Sequence, residues 1–162
     1  MKRLTAVLVS CLSVSLFAAS PHYKKNGQPL CTAEQTGNTF VGGCTAGLVA
    51  GLGNEDLTFG VIATASAGTF CHSPGSGNVA PGQNPAEAQF ASLQTIPGSA
   101  IKNGNATLSP VSFSFELAVP TPEQAGCANS NWSVSLGPVE WSATYVVYQP
   151  FPELLEKLSF DF

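Results

Sequence analysis

The sequence predicts an all-β fold, an antiparallel Ig-like β-sandwich held together by disulfides. Three observations support this prediction. Apolar and polar residues alternate with a period of two over several segments, which is the pattern of a strand with one buried face. Glycine- and proline-rich connections separate these segments, without helical periodicity between them. Four cysteines remain after an export leader, and an even number of cysteines in an exported chain indicates disulfides.

Residues 1–20 have the layout of a secretory signal peptide. A basic start precedes an apolar run over residues 4–17, and cleavage is expected after one of the small residues 18–20. The run is shorter than the roughly 20 residues that a spanning helix needs, and no second run of that length follows, so we expect no membrane span. Lipidation at Cys11 is a less favoured alternative, because it would leave an apolar segment where a polar tether is expected.

The four remaining cysteines permit three disulfide pairings. We favour Cys31 with Cys44, which would close a hairpin around a turn-rich segment, and Cys71 with Cys127, which would tie distant strands together. A metal site is disfavoured, since the sequence has no Cys-x-x-Cys pair and only His72 lies beside a cysteine. We therefore assign no metal ligand.

Alternation of apolar and polar residues locates the strands along the chain. The predicted strands span residues 57–65, 88–96, 111–119, 132–136 and 141–147. A Gly-Pro break at residues 137 and 138 separates the last two strands, which predicts a hairpin between them. Asn103 and Gly104 predict a tight turn. Prolines and glycines over residues 73–86 predict an irregular loop.

Composition divides the chain into four parts. The signal peptide over residues 1–20 is followed by a polar lead-in arm over residues 21–30, and the β-sandwich domain then spans residues 31–149. A tail covers residues 150–162. Residues 153–158 of the tail follow two prolines and carry a helical pattern, so we expect a short helix there.

Four segments of the predicted domain carry distinctive motifs. These are GLGNED at residues 51–56, APGQNP at 80–85, IKNGN at 101–105 and CANSNW at 127–132. The motifs resemble those of a group of secreted bacterial β-sandwich proteins that are mostly uncharacterised, and the resemblance extends over most of residues 31–149. It implies export and a β fold. It carries no assigned activity and no catalytic residue.

Charge and catalytic motifs exclude several classes of function. Beyond the leader, four lysines stand against ten acidic residues, and this balance disfavours a nucleic-acid partner, which would require clustered cations. No Gly-x-Ser-x-Gly elbow and no phosphate-binding glycine loop is present. A Cys71–His72 couple of nucleophile and base is disfavoured, because adjacent strand residues point to opposite faces and we expect Cys71 to be in a disulfide. We expect no catalytic residue, no enzyme activity and no cofactor.

Three sets of residues remain as candidates for binding or chemistry. Tyr148 is the aromatic residue most expected to be exposed, and it could contact a sugar ring, whereas Trp132 and Trp141 fall on the inward phase of their strands. The oxygens of Asn54, Glu55 and Asp56 could bind calcium, although a capped turn is the commoner role of such residues. Two strand carboxylates, Glu116 and Glu140, could hydrolyse a glycoside if they lay within about 10 Å of each other.

These observations favour a secreted or cell-surface, non-enzymatic module with a structural or interaction role. Its partner is unknown; an extracellular protein or a polysaccharide fits a surface rich in serine, threonine and asparagine. The alternative is an extracellular module that binds carbohydrate or calcium. A small glycoside hydrolase is the least favoured reading.

Overall fold

The computed structural model describes residues 21–151 and 153–159. The predicted signal peptide and the lipidation alternative at Cys11 lie outside the described residues. These residues form eleven strands and one 3-10 turn at Gly98–Ala100. The strands are β1 His22–Tyr23, β2 Cys31–Thr36, β3 Thr39–Cys44, β4 Gly47–Ala50, β5 Leu57–His72, β6 Val79–Pro81, β7 Ala86–Ile96, β8 Ala106–Leu108, β9 Val111–Glu116, β10 Ser133–Tyr148 and β11 Leu154–Ser159.

Five strands form one sheet, which we call the long sheet. Its spine is the antiparallel pair of β5 and β10, each 16 residues long. β11 pairs with the far edge of β10, while β7 and β6 pair with successive parts of the far edge of β5. The inward residues of β5 are buried almost without interruption, because apolar side chains occupy every second position.

The other six strands form two three-stranded sheets, β2-β3-β9 and β1-β4-β8, that run end to end. Cys44 pairs with Val111, and three residues further along Gly47 pairs with Leu108, so the register continues across the gap between the two sheets. The interruption lies opposite Pro110, which has no N–H to donate to the ladder. We therefore treat them as a single layer and call it the split sheet.

The two layers face each other across a core of aromatic and aliphatic side chains. Phe40 of the split sheet lies 4.8 Å from Trp141 of the long sheet between ring centroids, and Phe90 lies 6.0 Å from Phe113. Burial of such rings supplies most of the energy of sandwich packing. The largest fully buried side chains are Tyr145, Phe40, Phe59, Leu57, Leu108, Leu117, Val49, Val61 and Val147.

Both predicted disulfides are confirmed. Cys31 is bonded to Cys44 across the β2–β3 hairpin, and the two residues are direct partners in the ladder. Cys71, near the end of β5, is bonded to Cys127 in the connection between β9 and β10. The all-β, antiparallel and disulfide-stapled fold expected from the sequence is therefore present.

The predicted final hairpin is wrong. Residues 133–148 form one continuous strand, and the register against β5 shifts between Leu136 and Val139. Gly137 and Pro138 thus make a β-bulge and not a turn, and a bulge accommodates a proline that cannot donate to the ladder. The predicted edge strand at 88–96 is present as β7 and begins two residues earlier.

Both ends of the described chain are more regular than predicted. The expected helix at 153–158 is wrong, because β11 pairs with β10 there and its Leu155 and Leu158 pack against the core. The free edge of β10 needs backbone partners, and this requirement overrides a weak local helical pattern. The predicted lead-in arm is partly a strand too, since β1 pairs with β4.

Candidate functional site

Tyr148 lies at the end of β10, on the outer face of the long sheet. It is half-buried, and its ring makes an edge contact with Phe151 at 5.2 Å between centroids. Phe151 in the following turn is 59% exposed, so it is the more accessible aromatic ring of the two. Leu154 is the ladder partner of Tyr148 and is also exposed. The structure places the predicted aromatic residue in a small apolar cluster.

Asn54, Glu55 and Asp56 lie in the exposed connection between β4 and β5. The Asp56 carboxylate accepts a hydrogen bond from the Gly98 N–H at 2.8 Å, so it caps the 3-10 turn. In the described part of the chain, no group of three or more His, Cys, Asp or Glu residues could hold a metal ion. The Asp56 carboxylate therefore has a structural role, and calcium binding by the three residues stays a prediction.

Gln149 anchors the same loop from inside. Its side-chain oxygen accepts the Gly53 N–H at 2.9 Å, while its amide nitrogen donates to the carbonyl oxygens of Gly53 and Glu55 at 3.3 and 2.6 Å. The side chain is only 8% exposed. A buried amide with three such bonds satisfies backbone groups that would otherwise lack partners.

Gln149→Leu is expected to lower the free energy of unfolding by about 2 kcal/mol, because it leaves buried backbone groups of the loop unsatisfied. Urea titration followed by circular dichroism measures the change. Gln89→Leu on the exposed outer face of β7 is the matched control, with a change below about 0.5 kcal/mol. Equal losses of stability in Gln149→Leu and Gln89→Leu would show that the Gln149 hydrogen bonds do not stabilise the loop.

The two carboxylates considered for hydrolysis are not brought together. Glu140 points out of the long sheet and Glu116 points out of the split sheet, since their chain neighbours Trp141 and Phe115 pack inward. Facing sheets are about 10 Å apart and the two carboxylates extend from opposite sides of the sandwich. Glu140 instead lies across Ser66 from Glu87, beside a shallow concavity of about 460 Å³.

His72 has a partner that the sequence did not reveal. Its Nε2 lies 2.7 Å from the Ser135 hydroxyl oxygen, across the β5–β10 pair. The residues are 63 positions apart, so only the register of two long strands shows that they meet. Among the described hydrogen bonds, none joins His72 to a carboxylate that would orient it as a catalytic base. Cys71 is bonded to Cys127, which removes it as a nucleophile.

An open groove lies on the outer face of the split sheet. Gly43 lies between its ladder partners Thr32 and Ser112, and all three line a groove of about 830 Å³. Leu30 and Val41 line it and are 74% and 51% exposed. An exposed apolar surface rimmed by hydroxyl groups is typical of an interaction site.

Two further depressions adjoin this groove. Leu30 is shared with a cleft of about 660 Å³ beside the arm, and Lys24 is shared between that cleft and a third depression of about 470 Å³. The Lys24 N–H donates to the Leu48 carbonyl at 2.9 Å, which holds the arm against β4. We call the three depressions together the split-sheet groove.

Charged side chains are unevenly distributed along the split-sheet groove. Three of the four lysines in the described residues line it at the end formed by β1, β4 and β8: Lys24, Lys25 and Lys102. Glu34 lines the opposite end. The whole chain has a formal net charge of −4, so the lysines form a local basic region on an acidic protein. Lys24 and Lys25 are adjacent in the sequence, but only strand pairing brings Lys102 to the same end.

Two tyrosines lie behind the groove, inside the sandwich. Burial raises the pKa of Tyr23 and of Tyr145 above 10.0, and the Glu156 carboxylate adds to the shift at Tyr23. In the described part of the chain, neither hydroxyl has a hydrogen-bond partner. These phenols resist ionisation in the folded state.

Stability is expected to fall as the pH rises above 10, since both tyrosines then ionise more readily in the unfolded chain than in the folded one. Below that pH they are neutral in both states and contribute no pH dependence. Urea titrations between pH 8 and 11 measure the effect, and the double variant Tyr23→Phe/Tyr145→Phe should lose much of it. An unchanged alkaline slope in that variant would contradict the assignment.

Comparisons with protein-family models, with curated proteins and with solved structures found no match to this chain. Within residues 21–151 and 153–159, no helix has the length and apolar character that crossing a membrane requires. The surface of the described residues is therefore the basis for a proposed function.

Proposed function

We propose that this chain is an exported, non-enzymatic interaction module that binds an extended polymer along the split-sheet groove. The observation that carries the proposal is the adjacency of three open depressions, of which the first and second share Leu30 and the second and third share Lys24. Small-molecule sites are enclosed enough to bury most of their ligand. A long, open surface suits a linear partner that makes many weak contacts.

Secretion or cell-surface display belongs to the same proposal. Two disulfides suit an oxidising compartment, and the leader pattern at residues 1–20 agrees with them. The Ig-like classification is part of it as well, supported by two antiparallel layers around one core. The partner in this proposal is an extracellular protein or a polysaccharide.

Two matched substitutions test which face binds. Ser112 and Ser142 are exposed and point outward from opposite layers, so a tryptophan at either position blocks one face without entering the core. We expect Ser112→Trp to abolish binding of residues 21–162 to arrays of glycans and extracellular matrix proteins. Ser142→Trp should bind as the unmodified protein does, and both should keep its melting temperature. Loss of binding only in Ser142→Trp would overturn the proposal.

The concavity on the long sheet gives a second candidate. Glu87, Glu140 and Gln89 surround Ser66, and carboxylate and amide groups of this kind accept or donate hydrogen bonds to sugar hydroxyls. Ser142 is the ladder partner of Thr64, which lines this concavity. Binding that is lost in Ser142→Trp and kept in Ser112→Trp would favour carbohydrate recognition on this face.

A further inference from the structure

We infer that the ligand of the split-sheet groove is an acidic polysaccharide, held by Lys24, Lys25 and Lys102 through its carboxylates. The inference rests on the proposed function, because it names the polymer that the groove would bind. It depends on the basic end of the groove, where the arm, β4 and β8 meet.

The lysines stand on both sides of a neutral floor. Leu48 and Thr107 are direct ladder partners that point outward from β4 and β8, with Lys24 on one side of them and Lys102 on the other. β4 and β8 lie between the two positions, so a spacing of more than two strands, or more than about 10 Å, separates the lysines. Such a spacing suits a ligand with several separate charges along its length more than a single small anion.

Lys102 is held in place by its own turn. Its ammonium donates to the Ser99 carbonyl at 2.9 Å, and an ammonium has three protons to donate, so two remain for a ligand. The Asn105 amide nitrogen donates to the carbonyls of Lys102 and Asn103. These bonds fix the loop that presents the lysine beside β8.

The chemistry of the remaining lining favours a saccharide. Asn26, Gln28 and Thr107 provide amide and hydroxyl groups that can exchange hydrogen bonds with sugar hydroxyls, and Leu48 offers an exposed apolar surface for the C–H face of a ring. Residues 21–162 contain no arginine, the side chain that binds phosphates in a bidentate manner. Three lysines also make too few phosphate contacts for tight binding of a nucleic acid.

Single contacts at this surface are weak. An exposed pair of ammonium and carboxylate strengthens binding by at most about fivefold, so affinity requires several pairs along one chain. Binding should therefore weaken steeply as the salt concentration rises.

Oligomers of polygalacturonic acid and their fully methyl-esterified counterparts test the inference directly. We expect residues 21–162 to bind the acidic oligomers in isothermal titration at low salt and to bind the neutral esters at least tenfold more weakly. The double variant Lys24→Gln/Lys102→Gln should lose about tenfold in affinity for the acidic oligomers, the sum of two exposed ion pairs. The matched control is Lys157→Gln on β11, which removes a lysine that does not line the groove.

Five outcomes overturn the inference. Equal affinity for acidic and esterified oligomers, or equal losses in the double variant and in Lys157→Gln, would remove the charge-based ligand class. Sedimentation that shows a dimer dissociating in the double variant would assign the basic end to a second copy of the chain. Binding of a different polymer that is still blocked by Ser112→Trp would reject the acidic polysaccharide and keep the proposed function. No binding by any polymer or matrix protein would reject both.

Discussion

Replacing Cys71 and Cys127 together by alanine is expected to lower the free energy of unfolding by about 4 kcal/mol, against about 3 kcal/mol for the same change at Cys31 and Cys44. The reason is loop length. The first disulfide joins residues 56 positions apart and the second joins residues 13 positions apart. A cross-link over a longer segment removes more conformational freedom from the unfolded chain.

Urea unfolding of the two double variants under non-reducing conditions measures the difference. Each variant serves as the control for the other, because both lose one disulfide and two sulfur atoms. Cys71 is almost completely buried, so its replacement also removes packing at the end of β5. A greater loss of stability in the Cys31→Ala/Cys44→Ala variant would contradict the entropic account.

Phe40→Ala is the single substitution with the largest expected effect, a loss of about 4 kcal/mol in the free energy of unfolding. The ring is fully buried and lies 4.9 Å from Phe115 and 4.8 Å from Trp141 between centroids. Since it joins a strand of the split sheet to a strand of the long sheet, its removal leaves a cavity at the interface of the layers.

Phe70→Ala provides the comparison. Phe70 points out of the long sheet and is 37% exposed, so its removal should cost well under half as much. Urea titration followed by far-ultraviolet circular dichroism is the suitable measurement, because Phe40→Ala changes the surroundings of Trp141 and would alter its fluorescence directly. Similar losses in the two variants would show that Phe40 does not hold the layers together.

The strands could be predicted wherever burial follows the local pattern. Val111, Phe113 and Phe115 alternate with serines. In the structure, β9 pairs with β3 and these three side chains pack into the core. The helix expected in the tail was wrong because the edge of β10 decides the conformation of residues 154–159, and local sequence does not reveal that edge. The hairpin predicted at Gly137 and Pro138 was wrong for a related reason, since glycine and proline are common both in turns and in β-bulges.

The candidate site could not be predicted, although each of its residues was visible in the sequence. Lys24, Leu48 and Lys102 become neighbours only because β4 pairs with β1 on one side and β8 on the other. The groove beside them is lined by Gly43, Thr32 and Ser112. These three residues are neighbours only because β3 pairs with β2 on one side and with β9 on the other. Pairings between residues distant in sequence leave no periodic signal.

Each disulfide stays on its own side of the interface between the two layers. Cys31 and Cys44 belong to the split sheet, while Cys71 and Cys127 fasten the β9–β10 connection to the long sheet. Among the described residues, therefore, no disulfide crosses the interface between the layers, and only the polypeptide chain links them covalently. Trp141 packs against Phe40 at this interface, so its fluorescence should change when the layers separate with both disulfides intact.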